Sequence, residues 1–282
     1  MSVYSRPYES REGSEIQGVP AGFAVEFREA SHRYWLMDGG KREPVVSVTT
    51  ALGVLEKRGL MRWFEDGGAW GALKLLDAQW PEERELQWQH LQALSPRDIG
   101  DLVRDYKLGA EAMRDAAADR GTTIHRVLQL YAEERVVPNI ADFPEEHHGY
   151  VQGLARWLLA AGPTPILVEQ FVASPTYGYA GRLDLMADIR GESVLVDLKT
   201  SKTGVPWSEA HAQCQAYKIA AIESGFPSPE RLMIVGVGED GQFVEAPCCA
   251  VEQDWLDLLQ AYRTVSRLRS DVRAQINARE AQ

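Results

Sequence analysis

The sequence predicts an α/β (α+β) protein with a central mixed β-sheet flanked by helices and a helical N-terminal extension. Three observations carry that reading. Ile124, Leu128 and Tyr131 recur at three- and four-residue intervals within 110–134, the period of an amphipathic helix. After the breaker Gly162-Pro163-Thr164-Pro165, short apolar runs at 166–172, 179–189 and 193–199 read as strands. Helical patterns at 208–224 and 253–276 then alternate with two further strands, 231–237 and 242–247.

The elements follow in order. Residues 1–20 are polar and poor in apolar side chains, so a flexible arm is expected. Phe23–Phe27, His32–Met37, the turn Asp38-Gly39-Gly40 and Pro44–Val48 read as a small antiparallel meander. Ser47-Val48-Thr49-Thr50 reads as a strand end running into a Thr-capped helix. Leu60-Met61-Arg62-Trp63-Phe64 opens a second helix, whose Trp63, Trp70, Leu73 and Leu76 make an apolar stripe; Lys57, Arg58 and Arg62 beside it form a candidate phosphate-facing patch. From Pro81 to Leu108 the chain is helical and polar, with Ser95-Pro96 starting a helix as cap and first residue. Gly121 stands one turn before His125, which would leave room beside the imidazole. A helix over 145–161 ends at Gly162, and His147 and His148 at its start read as surface residues. Ser208 is the expected N-cap of the helix over 208–224. The expected domains are the arm 1–20, a meander and helical region 21–110, and a core 111–282 with a C-terminal helix.

Composition narrows the class. The 282 residues are 45% hydrophobic and 25% charged, ordinary for a globular protein large enough to bury a core. No run approaches the length of a membrane span and the start is polar and acidic, so a cytoplasmic protein without membrane contact is expected. Cys214, Cys248 and Cys249 have neither disulfide-framework nor zinc spacing and read as small residues in a reducing compartment. A net charge of −11 argues against non-specific coating of nucleic acid. It does not exclude a nucleic-acid enzyme, because bound metal ions offset a cluster of acids.

The candidate chemistry lies in Gly181-Arg182-Leu183-Asp184 and Val194-Leu195-Val196-Asp197-Leu198-Lys199. Alternation along a strand puts Asp197 and Lys199 on one face of an otherwise apolar run. Arg190-Gly191-Glu192-Ser193 reads as the turn of a hairpin that brings Asp184 towards Asp197. Two adjacent carboxylates repel, and hard oxygen ligands suit Mg2+ or Mn2+ as compensation. Lys199 would then orient a water or stabilise charge developing on a phosphate. The alternative is a solvated strand face carrying a surface ion pair.

The order of His125 on a helix, then Glu169, Asp184 and Asp197-Leu198-Lys199 on strands, then Gln213 and Tyr217 on a helix resembles the PD-(D/E)XK nuclease superfamily, in its RecB-like, phage-type exonuclease branch. The matching stretches are Gly121-Thr122-Thr123-Ile124-His125, Gly181-Arg182-Leu183-Asp184, Asp197-Leu198-Lys199 and Gln213-Cys214-Gln215-Ala216-Tyr217, within residues 113–240. Ser47-Val48-Thr49-Thr50 with Leu60-Met61-Arg62-Trp63 is similar to the entry region of phage RecB-like exonucleases and of the mitochondrial genome maintenance exonuclease. The resemblance implies a restriction-endonuclease-like core and a Mg2+- or Mn2+-dependent deoxyribonuclease. Asp184 and Asp197 would bind one or two ions, with His125 and the Leu198 carbonyl completing the shell. Lys199 would assist the attacking water, and Glu169 matches an acidic position of some relatives or is a strand-face ion pair. Gln213 and Tyr217 would hold the DNA, with Arg120, Arg182 and Lys202 as candidate phosphate contacts. Three cysteines cannot supply the four-cysteine iron-sulfur cluster of some relatives, and no helicase motif is present. The expected activity is exonucleolytic hydrolysis at DNA ends in phage or bacterial recombination or repair, with DNA as partner alongside a recombinase, helicase or single-strand-binding protein. An endonuclease of the same fold and a catalytically silent DNA-binding subunit are the alternatives.

Overall fold

Tertiary packing divides the chain into two compact units, Met1–Leu55 with Thr123–Gln282, and Glu56–Thr122. The computed structural model describes residues 9–11, 14–55, 67–75 and 93–280. The stretch 56–66, which holds Lys57, Arg58 and Leu60–Phe64, lies outside the described residues, as does 76–92 with Leu76.

In the first unit the chain begins with β1 (Glu9–Arg11), β2 (Ser14–Gly18), β3 (Ala24–Arg28), β4 (Arg33–Asp38) and β5 (Lys41–Ser47), each antiparallel to the next. The expected meander is therefore longer than its sequence pattern. The segment 9–18, expected as arm, contains two paired strands, and the Gln17 carboxamide oxygen accepts from Phe171 N and Gln170 Nε2, both at 2.7 Å. Ser47 rather than a threonine caps α1 (Val48–Leu52), its Oγ accepting from Thr50 N at 3.0 Å.

The second unit contains a helical stretch at 67–75 and α2 (Pro96–Asp105), which starts with the expected Ser95-Pro96 and a reciprocal Ser95–Asp98 capping box. Trp70 and Leu73, two members of the expected apolar stripe, are more than half exposed. The unit boundary falls inside α3 (Ala110–Glu134).

Back in the first unit, α4 (His148–Ala161) is followed by β6 (Thr164–Ser174), β7 (Tyr179–Ile189), β8 (Glu192–Thr200), α5 (Ser208–Glu223), β9 (Arg231–Val237), β10 (Phe243–Pro247) and α6 (Glu252–Glu280). One sheet joins them in the order β1-β2-β3-β4-β5-β7-β8-β9-β10, with β6 also on β7. It is mixed: β5 runs parallel to β7 through Val46–Tyr179 and Ser47–Ala180, and β8 runs parallel to β9. The pairing of β5 with β7 is why residues up to 55 belong with the core and not with 56–110, as the expected domain division had it.

Helices cover both faces. Alternation on β8 and β9 sends Leu195 and Ile234 to a core with α1, α5 and α6, and Val194, Val196, Leu198, Met233 and Val235 to a core with α4 and the 123–134 part of α3. Asp197 and Lys199 share the Leu195 face, beneath α5.

Two expectations about polar residues change. His147 is buried, its Nδ1 2.8 Å from Thr123 Oγ1, and His148 Nε2 lies 2.9 Å from Phe143 O, so both are tied into the fold. Trp207, not Ser208, is the N-cap residue of α5, and the Ser208 hydroxyl donates to Glu209. No helix among the described residues is long and apolar enough to cross a membrane.

Candidate metal centre

An opening in the sheet makes the site. On one edge of β7, β5 pairs at residues 179–180 and β8 only from Leu185 onward, so 181–184 have no strand partner there. Asp184 lies in this gap, and its Oδ2 accepts from Leu198 N at 2.7 Å. Its carboxylate thus touches the peptide that joins Asp197 to Leu198. The N–H and C=O of one strand residue point to the same side, so the Leu198 carbonyl also faces this gap.

On the other edge of β7, Val168 pairs with Leu185 and Gln170 with Leu183, which sets Glu169 across from Asp184. Glu169 has φ +49°, the left-handed region. For a non-glycine residue that costs about 1–2 kcal/mol, and such strain tends to persist where the surroundings hold a functional side chain in place. The Glu169 carboxylate is shared: His125 Nδ1 is 2.7 Å from Oε1 and Arg182 Nε is 3.1 Å from Oε2. His125 Nδ1 is also 3.8 Å from Asp184 Oδ1. One ligand atom from each of His125, Glu169 and Asp184 lies within 4.8 Å of the other two.

Beside this trio, Lys199 Nζ stands 2.7 Å from Asp197 Oδ2. Asp197 is fully buried and its Oδ1 has no hydrogen-bond partner among the described residues. An orphan carboxylate oxygen is costly unless a cation or donor reaches it.

Electrostatics tie the five groups together. Burial pushes the Asp197 carboxyl up to about 6 against the pull of Lys199, and Asp184 adds to the rise. Burial likewise raises Asp184, opposed by His125 and Lys199. Burial disfavours charge on His125, but Asp184 and the hydrogen-bonded Glu169 together outweigh it and carry its pKa up to about 9. Lys199 is buried too, yet Asp197 and Asp184 hold it above its ordinary value. Glu169, Asp184 and Asp197 are therefore balanced by Arg182, Lys199 and a protonated His125. A divalent cation between the carboxylates would take over the role of the imidazolium proton.

The remaining predicted residues fall as follows. Gln213 and Tyr217 are both buried, with Gln213 Nε2 donating to Tyr217 Oη at 3.0 Å. The Tyr217 ring explains the glycine of the Gly181 motif: a Cβ at Gly181 would stand 2.7 Å from Tyr217 Cε1. Burial lifts the Tyr217 phenol well above its ordinary pKa, and Asp184 and Asp197 add to the lift. Arg182 also lies over the Phe171 ring, 6.0 Å from its centroid. Lys202 projects into solvent from the loop after β8, 3.9 Å from Glu239. Arg120 is half-buried on the part of α3 that belongs to the other unit. A Cβ at Gly121 would meet nothing within 4 Å, so that glycine is not needed to make room for His125.

The residues that could hold a metal are His125, Glu169 and Asp184, so Glu169 stands beside two of the expected ligands, and the third, Asp197, pairs with Lys199 next to them. Sequence reasoning also missed Tyr34 on β4. Burial pushes its phenol up to about 12, and it feels Arg182 and Glu169. Alternation marks Tyr34 and Leu36 as one face of β4, but nothing local says that this face meets the acids.

No family model matches the chain, and no curated protein matches it. Among solved structures, one described as "Crystal structure of SSO0001" is similar, at 18% identity over 50% of this chain and 71% of that one, with a TM-score of 0.27. A likeness of that size carries no argument for fold or activity. The class that the structure defines is an α+β protein with a large mixed sheet flanked by helices.

Proposed function

We propose that the chain is a Mg2+- or Mn2+-dependent deoxyribonuclease of the PD-(D/E)XK, RecB-like type that hydrolyses phosphodiester bonds at DNA ends. The observation that carries this reading is the convergence of His125, Glu169 and Asp184 within 4.8 Å, beside the Asp197–Lys199 pair and the Leu198 peptide. The donors fit the ion: one imidazole and several carboxylates are suited to a hard divalent cation, and the unpartnered Asp197 Oδ1 has coordination to give.

A divalent cation held by His125, Glu169 and Asp184 would supply charge neutralisation at the phosphate and make an attacking water more acidic. The chain's own groups do the rest. Lys199 is held as the charged ammonium by Asp197 and Asp184, so it acts as a donor that orients the water and stabilises developing negative charge, not as a base. Arg182 fixes the Glu169 carboxylate, which in turn fixes the His125 ring. Tyr217 packs against Gly181, Gln213 donates to its hydroxyl, and together the pair would steady the backbone of a bound strand.

The test is digestion of end-labelled linear DNA and closed circular DNA with Mg2+. Linear DNA is expected to be degraded and circular DNA spared. Asp197→Ala and Lys199→Ala should each lower the rate by about 10²–10⁴-fold, the range for losing a group that acts on the proton or charge of the transition state. Cleavage of circular single strands would convert the reading to an endonuclease. Intact linear DNA, or full activity in both variants, would end it.

A further inference from the structure

Alternation sends Val25 and Phe27 of β3 and Tyr34 of β4 into the core, so Glu26, Arg28, Arg33, Trp35 and Arg42 share the opposite face of the meander. Arg28, Arg33 and Arg42 are exposed there. The one acid among them, Glu26, is buried and serves two guanidiniums. Arg42 reaches from β5 across β4 and donates to both carboxylate oxygens, Nε to Oε2 at 2.7 Å and Nη2 to Oε1 at 2.9 Å, while Arg28 Nε donates to Oε1 at 3.2 Å. In crossing β4 the Arg42 guanidinium lies over the Trp35 ring, 4.1 Å from its centroid, and that of Arg28 stands 5.3 Å from the same centroid.

Ion pairing accounts for only part of this arrangement. Three arginines against one carboxylate leave the group positive, on a chain whose net charge is −11. Arg33 stands directly across from Arg28 in the β3–β4 register, and like charges so placed destabilise a sheet. Among the described residues no acid pairs with Arg33. Arg28 engages Glu26 through Nε alone and Arg42 through Nε and Nη2, which leaves both Nη groups of Arg28 and Nη1 of Arg42 for another acceptor. A guanidinium fork matches the oxygens of a phosphate, and a basic patch built on an aromatic ring suits a nucleic-acid strand. We propose that this face of the meander binds the backbone of single-stranded DNA, with Arg28, Arg33 and Arg42 on its phosphates. Glu26 and Trp35 are positioning residues that hold two of the guanidiniums in place. Phe27 and Tyr34 pack on Phe171 of β6 from the other side of the strands, so a chain held here is anchored apart from the acids. The choice of DNA as the polyanion rests on the nuclease reading; the charge and the free donors do not.

The test is fluorescence anisotropy of a short labelled single-stranded oligonucleotide with the full chain in EDTA, which prevents cleavage, between about 50 and 200 mM salt. In the double variant Arg28→Ala, Arg33→Ala the slope of log K against log salt is expected to fall by about 1.4, at about 0.7 for each phosphate contact removed, whatever the oligonucleotide sequence. Arg269→Ala, Arg273→Ala removes the same charge from exposed positions of α6 and should leave the slope unchanged. Arg33→Glu, which disturbs no ion pair with Glu26, is the second variant should the loss of Arg28 unsettle the fold, and it should weaken binding more than Arg33→Ala. A wild-type slope in the meander variants, an equal loss in the α6 variant, or binding to phosphatidylglycerol vesicles that DNA does not displace would each overturn the proposal. Hydrolysis by the wild-type chain alongside a wild-type slope in the meander variants ends this inference and leaves the nuclease reading standing. Binding through these arginines without hydrolysis in Mg2+ does the reverse.

Discussion

At the scale of single residues, the proposed metal site would set protons against a cation for the same ligand atoms. His125, with its pKa carried to about 9, holds a proton at neutral pH, and Asp197, pushed up to about 6, still holds some just below it. Ligation requires the imidazole to be neutral and the carboxylate ionised, so metal binding must release protons. Mn2+ affinity is therefore expected to rise about tenfold per pH unit between 6 and 9, where one proton leaves His125. Calorimetry in two buffers of different ionisation enthalpy at pH 7.5 should register close to one proton released per ion. An affinity that does not change with pH would contradict ligation by His125. The same raised pKa values have a consequence without metal. A carboxyl whose folded pKa lies above its unfolded value favours folding at low pH, and that contribution is lost as pH rises through the folded pKa. The metal-free protein should thus lose the Asp197 contribution as pH climbs through about 6. Saturating Mn2+ should restore stability at pH 8, read as a rise in melting temperature.

At the scale of elements, the motif glycine is a packing requirement. Val48 Cγ2 stands 3.2 Å from the position of a Gly181 Cβ, in addition to Tyr217 Cε1, so β7 is pinched between α1 and α5. Gly181→Ala is expected to cost about 1–3 kcal/mol, the usual range for overpacking a filled core. Tyr217→Phe keeps Cε1 and should not relieve it, whereas Tyr217→Ala should relieve it in part. A denaturant titration of the four proteins checks this, and full stability of Gly181→Ala would show that the close approach is absent. How much of this is legible in the sequence depends on the distance over which each signal acts. Asp184, Asp197 and Lys199 stand out because charges inside apolar strands are a local anomaly. Ser95-Pro96 and the 110–134 periodicity are local too. Glu169 is recognisable as an acid, but its position opposite Asp184 depends on strand register, and its left-handed backbone leaves no mark in the residue types. The burial of His147 depends on Thr123, distant in the chain, and so its local acidic setting misleads.

At the scale of the whole molecule, the N-terminal strands are part of the site-bearing unit. Only two residue pairs tie β5 to β7, too short a signal to read from sequence, and the polar segment before β3 resembles an arm for want of apolar residues. Gln17 contradicts that picture by accepting from Phe171 N and Gln170 Nε2 on β6, which pairs with the edge of β7 opposite the gap. A chain starting at Phe23 would leave the edge of β3 unpaired and those donors without Gln17. It should melt several degrees lower than the full chain and aggregate more readily, since an uncovered strand edge is a template for pairing. An unchanged melting temperature would restore the flexible arm. The expected arrangement of 21–110 as one region likewise gives way, because 1–55 fold with 123–282.

The most direct test of the proposed metal centre is a crystal structure of the protein soaked with Mn2+ and a short oligonucleotide, read from the anomalous signal. The account predicts a peak within coordination distance of Asp184 and Glu169 or Asp197, with the His125 ring turned onto it and Lys199 beside the bridging phosphate. An ordered His125–Glu169–Asp184 cluster without a peak, while Mn2+ is seen elsewhere in the same crystal, would contradict it.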